Sequence, residues 1–266
     1  MAAAADGPLS HAKAQYWLGR VADARGDKGS AAKHYRLAAQ NTDTFHGLLA
    51  MQMLQPGRTS LEIKPPQYPS PEQIRNLMSR DATKALVLAA KAKLSRLYTR
   101  SFLVALHSAT SNEAEAGMVA YIARALGDPQ MSLRIGKVAV AKGQNLLTYA
   151  YPVTAFPGYK PLRKPPELAL LLGLARQETE FDSQIVSGAG AKGLLQIMPG
   201  TARHVCRDYK MKCDISRLLS DTRYNVTLAS AYIADRMDDF DGSYVLGLTG
   251  YNAGPGYDLA TGWGTI

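Results

Sequence analysis

Long apolar runs are missing from this sequence. The longest covers residues 168–175, less than half of what a bilayer span requires, so the chain reads as a folded soluble protein. Cysteine is scarce: Cys206 and Cys213 are the only two. Without a pair of histidines at ligand spacing beside them, a zinc site is disfavoured. Their separation leaves two readings open, a local disulfide formed in an oxidising compartment or two idle thiols. There is no HExxH pattern and no Asp-rich calcium loop, so neither a metal nor any other cofactor is expected. There is also no block of Lys and Arg interleaved with aromatics, and no zinc-finger or RNA-recognition signature, so nucleic acid is not expected as a partner. Residues 1–7 lack both the basic and the apolar segments of a secretory signal. Either the protein is cytoplasmic, or the chain begins downstream of the start of its natural precursor.

What is present is an ordinary globular composition carrying an excess of positive charge. The 266 residues are 46% hydrophobic and 20% charged, enough to bury one large core or two smaller ones. A formal net charge of +9 implies acidic partners but does not choose among nucleic acid, anionic lipid and an anionic wall polymer.

Periodicity predicts helices nearly throughout. Over residues 11–54, Leu18, Gly19, Ala31, Tyr35 and Ala38 fall at the spacing of a tetratricopeptide-type hairpin, with Gly26-Asp27 as its turn. Residues 55–69 are Pro-rich and read as a linker. Ser70-Pro71-Glu72-Gln73 then reads as a helix start, with Ser as cap and Pro at the first position. Further helices are predicted over residues 81–93, 94–107, 112–126 and 132–142, separated by Gly127-Asp128-Pro129 and Gly143. Five prolines between residues 151 and 166 mark a second linker. The expected division is therefore an α-superhelical region over 1–150, a catalytic domain over 151–256 and a Gly-rich tail over 257–266.

The chemistry concentrates after that boundary. Residues 168–175 are apolar on every side and predict a buried helix, which ends at Arg176-Gln177-Glu178-Thr179-Glu180-Phe181. Glu178 lies on the stripe of Leu171 and Leu174, whereas Glu180 points roughly the opposite way. Desolvation and the negative end of the helix dipole both favour the protonated carboxyl at such a place, which is what a general acid needs. A solvated carboxylate in a fraying last turn is the plainer alternative for any single Glu.

The surrounding motifs decide between them. After Glu178-Thr179-Glu180-Phe181 come Gly193-Leu194-Leu195-Gln196-Ile197-Met198-Pro199, then Asn225 with Tyr232, then Tyr251-Asn252-Ala253-Gly254-Pro255-Gly256. This ordered set resembles the soluble, family 1 type of lytic transglycosylase, whose pattern runs Glu-Ser-x-Phe, Gly-Leu-Met-Gln-(Leu/Ile)-Met-Pro and Ala-Tyr-Asn-Ala-Gly. The resemblance reaches back more loosely to Tyr16-Trp17-Leu18-Gly19-Arg20, to Phe45-His46-Gly47 and to Tyr151-Pro152. It implies an all-α fold, a superhelical (tetratricopeptide-like) region followed by a lysozyme-like, mainly α catalytic domain. It implies Glu178 as the catalytic acid and base and Tyr251 as the tyrosine whose hydroxyl contacts it. Gln196, Met198 and Asn252 would line the glycan cleft, and Ser187 would meet an N-acetyl group. The implied reaction cleaves peptidoglycan between N-acetylmuramic acid and N-acetylglucosamine without water, leaving 1,6-anhydro ends. That substrate places the protein in the periplasm, in association with the cell envelope.

Thr179 replaces the family's Ser and Leu195 its Met; both are mild departures. The tail differs more. After Gly256 the family continues into helix, whereas residues 257–266 are Gly-rich and resemble a stretch of sedolisin-type peptidases. Two rival readings follow: a goose-type muramidase, with Asp182 or Asp214 activating water, and an inactive glycan-binding scaffold disabled by its tail.

Overall fold

The computed structural model describes residues 7–58 and 63–252. The last motif from Ala253 onward and the Gly-rich tail lie outside the described residues, as do residues 59–62. The described chain is helical and its backbone contacts divide it into two compact units, residues 1–126 with 134–150, and residues 127–133 with 151–266.

The first unit opens with three helices, α1 (Pro8–Ala24), α2 (Lys28–Ala38) and α3 (Phe45–Leu54). The α1–α2 hairpin closes as the small-residue spacing predicts. A Cβ at Gly19 would sit 2.6 Å from the Tyr35 ring, so only glycine lets that ring pack down. Tyr16, Ala31, Tyr35, Ala38 and Ala50 form the shared core. Leu18 is not part of it and stays 38% exposed. Gly26 takes a positive φ of 77°, and Asp27 then caps α2 by accepting from the Ser30 amide at 2.9 Å.

The Pro-rich stretch before residue 70 is less free than a linker. The side chain of Asn145 donates to the carbonyls of Lys64 and Pro65, and Glu113 accepts from the Gln67 amide at 2.9 Å. The predicted helix start at Ser70 is a full capping box opening α4 (Pro71–Ser79). Helices α5 (Asp81–Lys91), α6 (Arg96–Ser108), α7 (Glu113–Ala125), α8 (Pro129–Ala141) and the single turn α9 (Leu147–Ala150) follow.

The second unit contains α10 (Leu168–Glu178), α11 (Pro199–Asp208), the short α12 (Arg217–Ser220), α13 (Thr222–Asp239) and α14 (Tyr244–Asn252). Its core joins Leu171, Leu174 and Ala175 of α10 to Leu194, Leu195 and Ile197, to Val205 of α11, and to Val226, Leu228 and Ile233 of α13. The expectation that residues 168–175 are buried all round is corrected here. Leu168 is 56% exposed, and burial follows the stripe Leu171, Leu174 and Ala175, because core elements cover one side of α10 only. In α14, of the apolar set Val245, Leu246 and Leu248, the first two are 74% and 50% exposed. Leu248 is the residue of that set that reaches the core.

The second Pro-rich segment wraps its own domain. Arg163 pairs with Asp235 at 2.5 Å and with Asp238, both on α13, and the Lys160 carbonyl accepts from Thr227 at 3.2 Å. These two carboxylates push the Arg163 pKa upward. Among the described residues no strand forms, only isolated bridges from Lys192 to Val186 and to Ile197. No described helix is long and apolar enough to cross a membrane.

Candidate active site

The site is built at the C-terminal end of α10. Glu178 is the last residue of that helix, half-buried, with its Oε1 atom enclosed. Thr179 follows as the C-cap and is fully buried. Its hydroxyl shares its one proton between the Ala175 carbonyl at 3.1 Å and the Leu194 carbonyl at 2.9 Å, which ties the helix end to the next loop. Glu180 and Phe181 then take left-handed conformations, φ 51° and 66°, and the Phe181 amide donates back to the Ala175 carbonyl at 3.2 Å. Glu180 therefore leaves the helix in a tight reversal and lies half-buried. Gln130 braces the same turn, its amide donating to the Thr179 carbonyl at 3.1 Å.

The loop of residues 185–197 forms the second wall. Ser187 closes it at one end: its hydroxyl accepts from the Ala191 amide at 3.0 Å, and its own amide donates to the Ala191 carbonyl at 2.9 Å. Gln196 has a positive φ of 49° and is buried, with its side-chain amide donating to the carbonyls of Ile185 at 3.2 Å and Gly193 at 2.8 Å. Both amide protons are thereby committed to the loop, so Gln196 shapes the wall. Met198 is half-buried at the N-cap of α11.

Asn225, quoted from the motif but given no role there, is the central fastener. It is 0% exposed, its Oδ1 accepts from the Leu195 amide at 3.1 Å, and its Nδ2 donates to the carbonyls of Lys192 at 2.8 Å and Leu218 at 3.2 Å. Gly193 makes room for it. There φ is 73°, and a Cβ would sit 2.3 Å from the Leu218 carbonyl and 2.5 Å from Asn225 Nδ2.

Helix α14 delivers the remaining residues. Tyr251 is buried and its hydroxyl donates to the Leu195 carbonyl at 2.5 Å. This places Tyr251 against the residue next to Gln196. The Tyr251 ring lies 5.7 Å from that of Tyr232, whose buried hydroxyl lacks a hydrogen-bond partner among the described residues. Burial pushes the Tyr232 pKa up, with Arg236 opposing. Asn252 is buried, Oδ1 included. The two carboxylates named for a hydrolytic reading sit in turns: Asp182 accepts from the Gln184 amide at 3.0 Å, and Asp214 accepts from the amide and hydroxyl of Ser216. The Ser216 contact holds the Asp214 pKa below the usual carboxylate range.

Sequence reasoning missed the bracing roles of Thr179, Asn225 and Gln130. Thr179 and Asn225 carried a signal, a polar residue inside a motif. Gln130 carried none. Among the described residues no cluster of His, Cys, Asp and Glu could hold a metal ion. Cys206 and Cys213 are free thiols, and burial pushes the Cys206 pKa up to about 11.

Known proteins match this chain in three ways. Residues 160–261 match the family model described as the transglycosylase SLT domain. Over 86 residues the chain is 34% identical to a soluble lytic murein transglycosylase of Escherichia coli, an alignment covering 32% of this chain and 13% of that protein. A relative of the same description from Salmonella typhimurium is 32% identical over 90 residues. Among solved structures, the 70 kDa soluble lytic transglycosylase of Escherichia coli superposes with a TM-score of 0.68, and the lytic transglycosylase Slt of Pseudomonas aeruginosa with 0.71. Each is 22% identical and covers 92% of this chain and 39% of its own. The chain thus spans well under half the length of the proteins it resembles. The fold is the all-α one expected, superhelical and then lysozyme-like. Residues 160–261 of this chain are thus similar to a transglycosylase SLT domain.

Proposed function

We propose that the C-terminal domain cleaves the β-1,4 bond between N-acetylmuramic acid and N-acetylglucosamine in peptidoglycan, without water, leaving 1,6-anhydro ends. Glu178 protonates the glycosidic oxygen as the bond breaks. The substrate's own N-acetyl group stabilises the positive charge that develops on the sugar, a role open to it when no second carboxylate acts. The ionised Glu178 then takes the proton of the C6 hydroxyl, which closes the anhydro ring and returns Glu178 to its acid form. Tyr251, Gln196 and Ser187 shape the wall of the glycan cleft, with Met198 and Asn252 along it. The relatives named above are described as murein transglycosylases, which supports reading glycan strands as the partner and the periplasm as the working compartment.

The observation that carries this reading is the enclosed carboxyl oxygen of Glu178 at the end of a core helix. A carboxyl there is more easily kept protonated than one in water. The test is clearing of purified cell-wall sacculi, with mass spectrometry of the products. Wild-type chain should release anhydro ends, and Glu178→Gln should release nothing while unfolding within about 1 kcal/mol of wild type. Reducing ends from wild type, or full activity in Glu178→Gln, would refute it.

A further inference from the structure

The C-terminal end of α11 holds two thiols that the cleavage chemistry does not use. Past the C-cap Tyr209 the chain turns at Lys210, with φ 51°, and the Met211 amide donates back to the Cys206 carbonyl at 2.9 Å. This reversal brings Cys213 alongside the helix that the chain has just left. The Cys213 thiol donates to the Ala202 carbonyl at 3.8 Å, one helical turn before Cys206. Both side chains pack against the same core, Cys206 buried within it and Cys213 half-buried at its edge.

The Tyr224 hydroxyl fixes the pair. It accepts from the Asp214 amide at 3.0 Å and lies 3.5 Å from Cys206 Sγ. One phenol oxygen therefore holds the first cysteine and the residue after the second. Burial, and then a side-chain hydrogen bond with Cys213, push the Cys206 pKa up. Neighbouring sulfurs on two backbone segments held side by side are what a disulfide requires, because the bond tolerates only a narrow range of separations.

We propose that Cys206 and Cys213 are a disulfide-forming pair, closed by exchange with an external disulfide in an oxidising compartment. The compartment is the one that the proposed function calls for, and to that extent the inference rests on that reading. Cys213 is the accessible member, so its thiolate attacks the external disulfide, forming a mixed disulfide and releasing one thiol. Cys206, once it has lost its proton, attacks Cys213 Sγ and releases the second thiol. Two S–H bonds become one S–S bond, and the external disulfide takes up the same two electrons and the two protons. The raised Cys206 pKa makes the second attack the slower step. The bond ties α11 to the segment leading into α12. Through the hydrogen bond from Asp214 to Tyr224 it also braces the turn of α13 that carries Asn225. The pH dependence of a free Cys206 thiol then belongs to the reduced chain alone.

The test is a redox titration. The full chain is equilibrated with mixtures of reduced and oxidised glutathione, once folded and once unfolded in urea. Acid quenching, alkylation under denaturing conditions and intact-mass spectrometry then count the free thiols. The folded chain should pass directly from two free thiols to none, as a monomer without bound glutathione. At a given glutathione ratio its ratio of disulfide to dithiol should be about tenfold higher than in urea. A ratio equal to or below that in urea overturns the proposal, because the fold then does not favour the bond. A stable glutathione adduct on Cys213, or a disulfide-linked dimer, overturns it too. Over residues 206–214 the oxidised chain should exchange amide hydrogens about tenfold more slowly than the reduced chain, and equal rates there also count against it. Wall cleavage is assayed separately. Bond formation without cleavage would sink the proposed reaction and support the disulfide, and cleavage without bond formation would do the reverse.

Discussion

Replacing Asn225 by Ala should unfasten the loop that carries Gln196. Three hydrogen bonds disappear, and their partners differ in what they keep. The Lys192 carbonyl still accepts from the Ile197 amide at 3.2 Å, so its loss is mild. The Leu195 amide belongs to a residue that is fully buried, and leaving such a donor without a partner costs about 1–3 kcal/mol. The remaining two bonds contribute roughly 0.5–1.5 kcal/mol each. Alanine's better helix propensity in α13 offsets at most about 0.7 kcal/mol. The balance is a loss of about 1–5 kcal/mol, set against the ~5–15 kcal/mol that holds a domain folded. Hydrogen exchange followed by mass spectrometry is the suitable assay, because the two units need not unfold together. Peptides covering residues 191–197 should exchange roughly ten- to a few-thousandfold faster in the variant, while peptides from residues 28–54 serve as an internal control. Exchange within about threefold of wild type over residues 191–197 would refute the fastening role, and equal acceleration in the control would show a general collapse instead.

Thr179→Val keeps the shape but removes both hydroxyl bonds, and should cost about 1–3 kcal/mol in urea unfolding; Thr179→Ser should recover most of it, and equal midpoints for Val and Ser would remove the brace. Gly19→Val should open the α1–α2 hairpin by about 1–3 kcal/mol through the clash with Tyr35, measured as the midpoint of the first unit's transition; an unchanged midpoint counts against the packing. The Cys206 thiol, held up to about 11 by burial, favours the folded state while neutral. Its folded pKa lies above the unfolded ~8.5, so the contribution is complete below that value and is lost as pH rises towards 11. Urea midpoints of wild type should fall more steeply across that window than those of Cys206→Ala, and parallel slopes would contradict it.

The capping residues made the helix starts legible. Ser70 with Gln73 marks α4, and Asp27 after Gly26 marks α2. Packing face was harder to read where a helix is apolar on several sides. Nothing local in α10 distinguishes Leu168 from Leu171, and nothing in α14 sets Val245 apart from Leu248; the choice is made by the elements that cover them. The residues proposed for the site were visible as motif members, but their tasks were not. Gln196 looks the same in sequence whether its amide meets a sugar or the Gly193 carbonyl, and Asn225 reads as an ordinary helical polar residue until its three partners are in view. The last motif residues after Asn252 remain a sequence reading.

The Ala175 carbonyl accepts from the amides of Thr179 and Phe181 and from the Thr179 hydroxyl, so the chain winds once around a single oxygen. Two consecutive side-chain-bearing residues are held left-handed to do so. The winding works as a fixed gauge: it sets the interval from Glu178 to Phe181 at three residues, with Phe181 seated in the core. An inserted or deleted residue in that interval would either unseat the aromatic ring or rotate the carboxyl off its stripe. Tolerance to insertion should therefore vanish between Glu178 and Phe181, whereas the open turn around Gly188, where no neighbour crowds the backbone, should absorb one.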